Sequence, residues 1–275
     1  MKRIIRTLSI SFFLLFLLIG PALPQGSMTI VGPDIPFLGM EKIVKDIKRS
    51  VFAVQMERSL GRADRTNVYA HLGTGFLLER NKVVIGITCN HVITPAHKMK
   101  KSVLIGLDTG AGYQRFECII AKQDIANDIA VLLPKKPTPS SQILLTNLVL
   151  NKDYLADKTT IVEGRGIIIP GYPLGLGLEH DENHPVIKLG IVAQYSGREI
   201  FLIDGVANPG NSGSPVFDLY QKKFIGMVQS YRKDFIDLFD KDGSLVAKLP
   251  YNSGLSNAVS SGVILKVIEE LELPK

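Results

Sequence analysis

Cysteine is nearly absent from this 275-residue chain: Cys89 and Cys118 are the only two. One bridge at most could form between them, which is no disulfide framework, so the fold has to rest on a hydrophobic core. Repeats and low-complexity blocks are lacking as well. Strong charge is also missing. The formal net charge is +6, but three of those charges sit at Lys2, Arg3 and Arg6, leaving a remainder of +3. The basic runs Lys98-Met99-Lys100-Lys101 and Lys222-Lys223 are short, which suits solvated loops and excludes a nucleic-acid track as the expected function. No apolar run comfortably spans a bilayer, which takes about 20 residues. Leu8–Ile19 is apolar except for Ser9 and Ser11, follows the positive residues, and ends at Gly20-Pro21-Ala22 and Pro24-Gln25-Gly26. That pattern predicts a cleaved secretory signal over residues 1–25 and a periplasmic or secreted protein, with an uncleaved anchor as the alternative.

About 250 residues then remain, enough for one large or two small β domains. After an extended lead-in, Met40–Arg49 has Ile43, Val44 and Ile47 on one side and reads as a short helix. Strands are predicted at 50–56, 73–78, 83–88, 102–107, 114–121 and 129–133, with Asn81-Lys82 as a hairpin turn. Three prolines among polar residues at 134–141 read as a linker. Beyond it, strands are predicted at 159–162, 166–169, 186–195, 200–203, 215–219 and 224–228, and a closing helix at 260–271. The resulting division is lead-in and helix 26–49, first half 50–140, second half 141–275. Many short strands with glycine-rich turns make the chain all-β, a barrel or a sandwich.

The chemistry gathers around Asn208-Pro209-Gly210-Asn211-Ser212-Gly213-Ser214-Pro215. A serine between glycines in a tight turn holds its hydroxyl out, and the N–H groups of Gly210 and Ser212 would form an oxyanion hole beside it. A plain turn between two strands explains the octet equally well. Serine needs a base to act as a nucleophile, and histidine is the natural one. Of His71, His91, His97, His180 and His184, His91 is the one that ends an apolar strand, fixed by the sheet yet open at its rim. Asp128 stands before the apolar run Ile129–Leu133 and suits the carboxylate that orients the imidazole; Asp124 is its rival. The order His91, Asp128, Ser212 is that of chymotrypsin and not of the α/β-hydrolases or subtilisin.

Thr88-Cys89-Asn90-His91-Val92-Ile93, Asn127-Asp128-Ile129-Ala130-Val131-Leu132 and Asn208–Gly213 resemble the three catalytic blocks of the HtrA/Deg branch of chymotrypsin-fold serine proteases. Gly171-Tyr172-Pro173-Leu174-Gly175 and Lys188-Leu189-Gly190-Ile191-Val192 add to the likeness. The resemblance implies two antiparallel six-stranded β-barrels with the site in the cleft between them, a short N-terminal helix and a C-terminal one. It implies His91 as general base, Asp128 as its orienter, Ser212 as nucleophile, and Gly210 and Ser212 as oxyanion donors. A PDZ domain usual in that branch is not expected in this chain. Ser214 departs from the branch and is similar to secreted glutamyl endopeptidases, but Val228 stands where those have a pocket histidine.

On this alignment Val206 lies near the floor of the substrate pocket, with Gln229, Ser230 and Tyr231 as a wall. No acid is available there, so small or medium apolar side chains are expected to fit. Asn211 carries no charge to pair with a newly cut N-terminus, so no such activation is expected. The segment 232–252 reads as a surface insertion or a mobile loop, with a turn at Asp240-Lys241-Asp242-Gly243. His180-Asp181-Glu182-Asn183-His184 reads as a solvated turn and not a metal site, and no cofactor is expected. The partners expected are polypeptide substrates, with self-association through Phe37-Leu38 implied by the resemblance alone. The alternative function is a catalytically silent polypeptide binder or chaperone on a protease fold.

Overall fold

The computed structural model describes residues 40–58, 68–135, 137–155, 160–178 and 184–272. The predicted signal, the lead-in to Gly39, Phe37-Leu38, the loop at Gly61–Arg65, and His180–Asn183 lie outside these residues.

Helix α1, Met40–Arg49, buries Ile43 and Ile47, the i and i+4 pair that one helix face requires. Strands β1 (Val51–Arg58), β2 (Val68–Arg80) and β3 (Val83–Cys89) follow. Asn81 and Lys82 turn between the last two with φ of 50° and 65°, the left-handed pair that matches the twist of a tight hairpin. Helix α2, Asn90–Lys98, comes next, then β4 (Val103–Asp108), β5 (Tyr113–Asp124) and β6 (Ile129–Pro134). These six strands close into an antiparallel barrel in the order β1-β2-β3-β6-β5-β4.

The proline-rich stretch expected as linker contains a helix, α3 (Pro139–Thr146). Thr138 caps it by accepting from the Ser141 N–H at 3.2 Å, and Pro139 opens it. Proline is suited to a helix's first position, where its missing N–H would be unpaired anyway. The strand expected at 159–162 is also corrected: Thr160–Val162 is irregular. The second barrel comprises β7 (Gly166–Gly171), β8 (Val186–Gln194), β9 (Ile200–Asp204), β10 (Pro215–Asp218), β11 (Lys223–Phe239) and β12 (Leu245–Ser260). It closes in the order β10-β11-β12-β9-β8-β7. Helix α4, Ser261–Glu269, buries Ile264, Val267 and Ile268.

Each barrel is filled from within. Phe52, Phe76, Ile87 and Val131 belong to a cluster that fills the first barrel and extends under α4. Ile169, Phe201, Ile203, Ile225 and Ala258 fill the second. Residues 232–252 are an exposed paired ribbon and not a loop, with the expected turn at Asp240–Gly243. They are the outer parts of β11 and β12, paired from Lys233↔Asn252 to Phe239↔Leu245. The all-β, two-barrel architecture with an N-terminal and a C-terminal helix is as expected.

Candidate active site

His91 does not end β3 as the sequence suggested; it is the second residue of α2. The turn from strand to helix is fixed by Asp128. The Asp128 carbonyl accepts from the Asn90 N–H at 3.0 Å, and Asp128 Oδ1 accepts from the His91 backbone N–H at 2.8 Å. Asp128 Oδ2 then lies 2.7 Å from His91 Nδ1. One carboxylate therefore serves both an orphan amide at a helix start and the imidazole itself, which sets the ring's orientation. With its proton on Nδ1 facing the carboxylate, the ring has its Nε2 lone pair free. Asp128 holds φ = 54°, a conformation Asp tolerates better than bulkier residues. The imidazole side chain is 51% exposed and the carboxylate 27% exposed, so the pair opens to solvent. Asp124, the rival, instead accepts from Asn127 N–H and Nδ2 at 3.0 and 2.7 Å.

Ser212 lies across the barrel junction. Its carbonyl accepts from the Thr74 N–H of β2 at 2.9 Å, and its hydroxyl donates to the Gln229 carbonyl of β11 at 2.9 Å. Gly73 explains the closeness: a Cβ there would stand 2.7 Å from Val92 Cγ2 and 3.0 Å from the Ser212 carbonyl. The residue after His91 and Ser212 thus converge on one point, which only glycine leaves open. Among the described residues, no hydrogen bond joins Ser212 Oγ to His91. The hydroxyl is turned to Gln229.

The loop before Ser212 is held in a definite orientation. The Pro209 carbonyl accepts from Leu174 N–H at 2.6 Å, and the Gly210 carbonyl accepts from Thr74 Oγ1 at 2.7 Å. The peptide bonds among the described residues are trans, so pinning the Pro209 carbonyl on Leu174 aims the Gly210 N–H the opposite way. Neither the Gly210 nor the Ser212 N–H donates to a described residue.

The family model for the trypsin-like peptidase domain matches residues 73–227, which carry His91, Asp128 and Ser212. The chain belongs to the trypsin-like peptidase family. Its fold is also that of a solved structure, the serine endoprotease from Yersinia pestis, with a TM-score of 0.56 at 20% sequence identity. The likeness covers 84% of this chain and 65% of that one, so this chain spans less than two thirds of that endoprotease's length. Among curated proteins none matches.

In this trypsin-like peptidase the residues expected at the substrate pocket make the following contacts. Val206 is 49% exposed, and its carbonyl accepts from Lys188 Nζ at 2.6 Å. Gln229 is buried, and its amide donates to the Asn127 carbonyl at 2.5 Å, tying β11 to the residue before Asp128. Tyr231 lines a cavity of about 170 Å³ with Asn208, Pro209 and Asn252. Ser230 Oγ accepts from Asn257 Nδ2 of β12 at 3.1 Å.

Two supports had no signal of their own in the sequence. Thr74 donates to the Gly210 carbonyl and accepts from the Tyr172 N–H at 3.0 Å. His71 Nε2 lies 2.8 Å from the Tyr172 carbonyl, and burial lowers its pKa from the usual 6.5 against the opposing effect of that bond. The His71 ring sits against the loop that carries Ser212, its Nε2 2.8 Å from where a Gly210 side chain would stand.

Cys89, His91 and Asp128 have potential ligand atoms within 4.8 Å of one another. A metal would need the thiolate. Burial and the nearby Asp128 charge push the Cys89 thiol far up, and its Sγ–H donates to the Val228 carbonyl at 3.3 Å. The cluster does not fit a metal. Cys89 and Cys118 are both free and buried. His184 pairs with Asp108 at 3.3 Å.

Proposed function

We infer that the protein is an exported serine endopeptidase that hydrolyses polypeptides through an acyl-enzyme at Ser212. The observation carrying this reading is the double grip of Asp128 on His91, which leaves Nε2 as the acceptor. In the reaction the Ser212 hydroxyl turns from Gln229 to His91, which takes its proton as Oγ attacks the substrate carbonyl. The tetrahedral oxyanion then accepts from the Gly210 and Ser212 N–H groups. His91 returns the proton to the leaving amine. Water, deprotonated by the same imidazole, then releases the acyl group. Asp128 stays ionised throughout and steadies the imidazolium. Substrate selection falls to Val206, Ser230 and Tyr231 beside the β11 edge, with Gln229 bracing that wall. No cofactor takes part in this scheme. The apolar N-terminal run, acting as a signal, would deliver the enzyme outside the cytoplasm.

One observation favours a second reading, a silent polypeptide binder: the Ser212 hydroxyl rests on Gln229 and not on His91. Against it stands the Leu174 contact, which keeps the oxyanion loop open. Fluorophosphonate labelling separates the two. A labelled wild type and an unlabelled Ser212→Ala variant support the enzyme; no label on folded wild type, with or without denatured protein present, supports the binder.

A further inference from the structure

The outer parts of β11 and β12 leave the barrel as a ribbon whose strands pair only with each other. Its register sets Ile236, Leu238 and Leu249 on one face and Phe235, Phe239 and Leu245 on the other, and all six are exposed. Two strands with apolar residues on both faces make a poor surface for water and mark a place for a partner. The charges on its paired strands balance, Lys233 and Lys248 against Asp234 and Asp237, and Asp237 pairs with Lys248 across the strands at 3.2 Å. Such a ribbon offers nothing to an anionic membrane.

The position of its edge identifies the partner. Within the barrel, β10 covers one edge of β11 as far as Pro215↔Met227. The ladder continues through Val228 N–H to the Ser214 carbonyl at 2.9 Å and Gly213 N–H to the Val228 carbonyl at 2.8 Å. Ser212 then donates to Gln229. Past Gln229, no other strand among the described residues covers this edge; the Phe235 N–H donates to the neighbouring Asp234 carboxylate at 2.8 Å. The open edge therefore starts at Ser212 and runs along the arm to Phe239, roughly 30 Å of strand.

Building on the peptidase reading, we propose that this arm is a substrate-docking strand that takes an extended, continuously apolar stretch of unfolded polypeptide by strand addition. A chain laid antiparallel along β11 runs toward Ser212, so the docked stretch is the part N-terminal to the bond that is cut. Its side chains alternate between the two faces of the enlarged sheet, and both faces of the arm are apolar. An amphipathic strand would satisfy only one of them. Backbone pairing supplies the affinity, and the apolar faces supply the selection.

The test uses the full chain and peptides sharing one cleavage site found in a digest of denatured protein. One peptide has about four residues before the bond, and two have about ten, either apolar or Ser/Thr-rich. Wild type should show kcat/KM about tenfold higher on the long apolar peptide than on the other two. Phe235→Ser with Phe239→Ser, and separately Leu238→Pro, should lose that advantage while cleaving the short peptide at the wild-type rate. In a Ser212→Ala background, fluorescence anisotropy should show the long apolar peptide binding, and the arm substitutions should abolish it. Binding by that variant with no hydrolysis by wild type would uphold the docking strand and refute the peptidase reading. An advantage that survives in the arm variants would overturn the docking strand. So would arm variants that change only sedimentation, the mark of a second copy, or only vesicle binding.

Discussion

Replacing Asp128 by Asn tests the imidazole's tautomer with almost no change of shape. The two oxygens of Asp128 face different donors: Oδ1 takes the His91 backbone N–H and Oδ2 faces Nδ1. A backbone N–H cannot become an acceptor, so the single oxygen of Asn must occupy the Oδ1 place. Its NH2 group then faces Nδ1, which has to accept, and the imidazole proton moves to Nε2. That is the wrong nitrogen for receiving the Ser212 proton. The cost expected for a mis-set tautomer in such a triad is about 10⁴-fold in kcat, or about 5.4 kcal/mol. Stability should barely move, since Asn adopts the φ of 54° as well as Asp does. Peptide hydrolysis and thermal melting are measured on wild type, Asp128→Asn and Asp128→Ala. The Ala variant leaves the ring free to choose its tautomer, so Asn should be no better than Ala. An Asn variant within tenfold of wild type, or ten times better than Ala, would refute the reasoning.

Other expectations follow from the loop that carries Ser212. Thr74→Val keeps the shape but orphans the Gly210 carbonyl and the Tyr172 N–H; it should cost about 1–3 kcal/mol in urea unfolding and slow fluorophosphonate labelling still further. Gly210→Ala puts a side chain at φ = 96°, against the Tyr172 carbonyl and 2.8 Å from His71 Nε2. Labelling should be lost while the far-UV circular dichroism stays that of the wild type; an Ala variant labelled at the wild-type rate would contradict the role of this loop. His71 has a folded pKa below its usual 6.5 because it is buried. The unfolded chain therefore binds this proton first, and stability, full above pH 6.5, falls as the pH drops from there toward the lowered value. Between about pH 7.5 and 5 the urea midpoint of wild type should fall more than that of His71→Gln, which keeps a donor for the Tyr172 carbonyl; equal slopes would refute it.

Strands β1 to β11 were legible in the sequence because β-branched runs alternate with turn residues that admit positive φ, as at Asn81-Lys82; β12 was not, and the strand expected at 159–162 is irregular. Nor was the start of α2 legible. Val92 and Ile93 continue the residue types of β3, and Pro95 inside the segment argues against a helix. Its first turn is set by Asp128, 37 residues away, which local pattern cannot report. Helix α3 was hidden by the opposite effect, since Thr138-Pro139 serves a helix start and a linker alike. The arm was missed because apolar residues on both faces give a ribbon no clean alternation. Within the candidate site the residue types and their order were readable, and the His91–Asp128 contact follows from them. Thr74, His71 and the inward turn of Gln229 act through backbone carbonyls, which leave no trace in residue identity.

The most direct measurement is the mass of the full chain after fluorophosphonate treatment, with the adduct mapped by peptide and its rate compared between wild type and His91→Ala. The account predicts one adduct, on Ser212, formed at least about a thousandfold more slowly without the imidazole. An adduct on another residue, or one whose rate ignores His91, would contradict it.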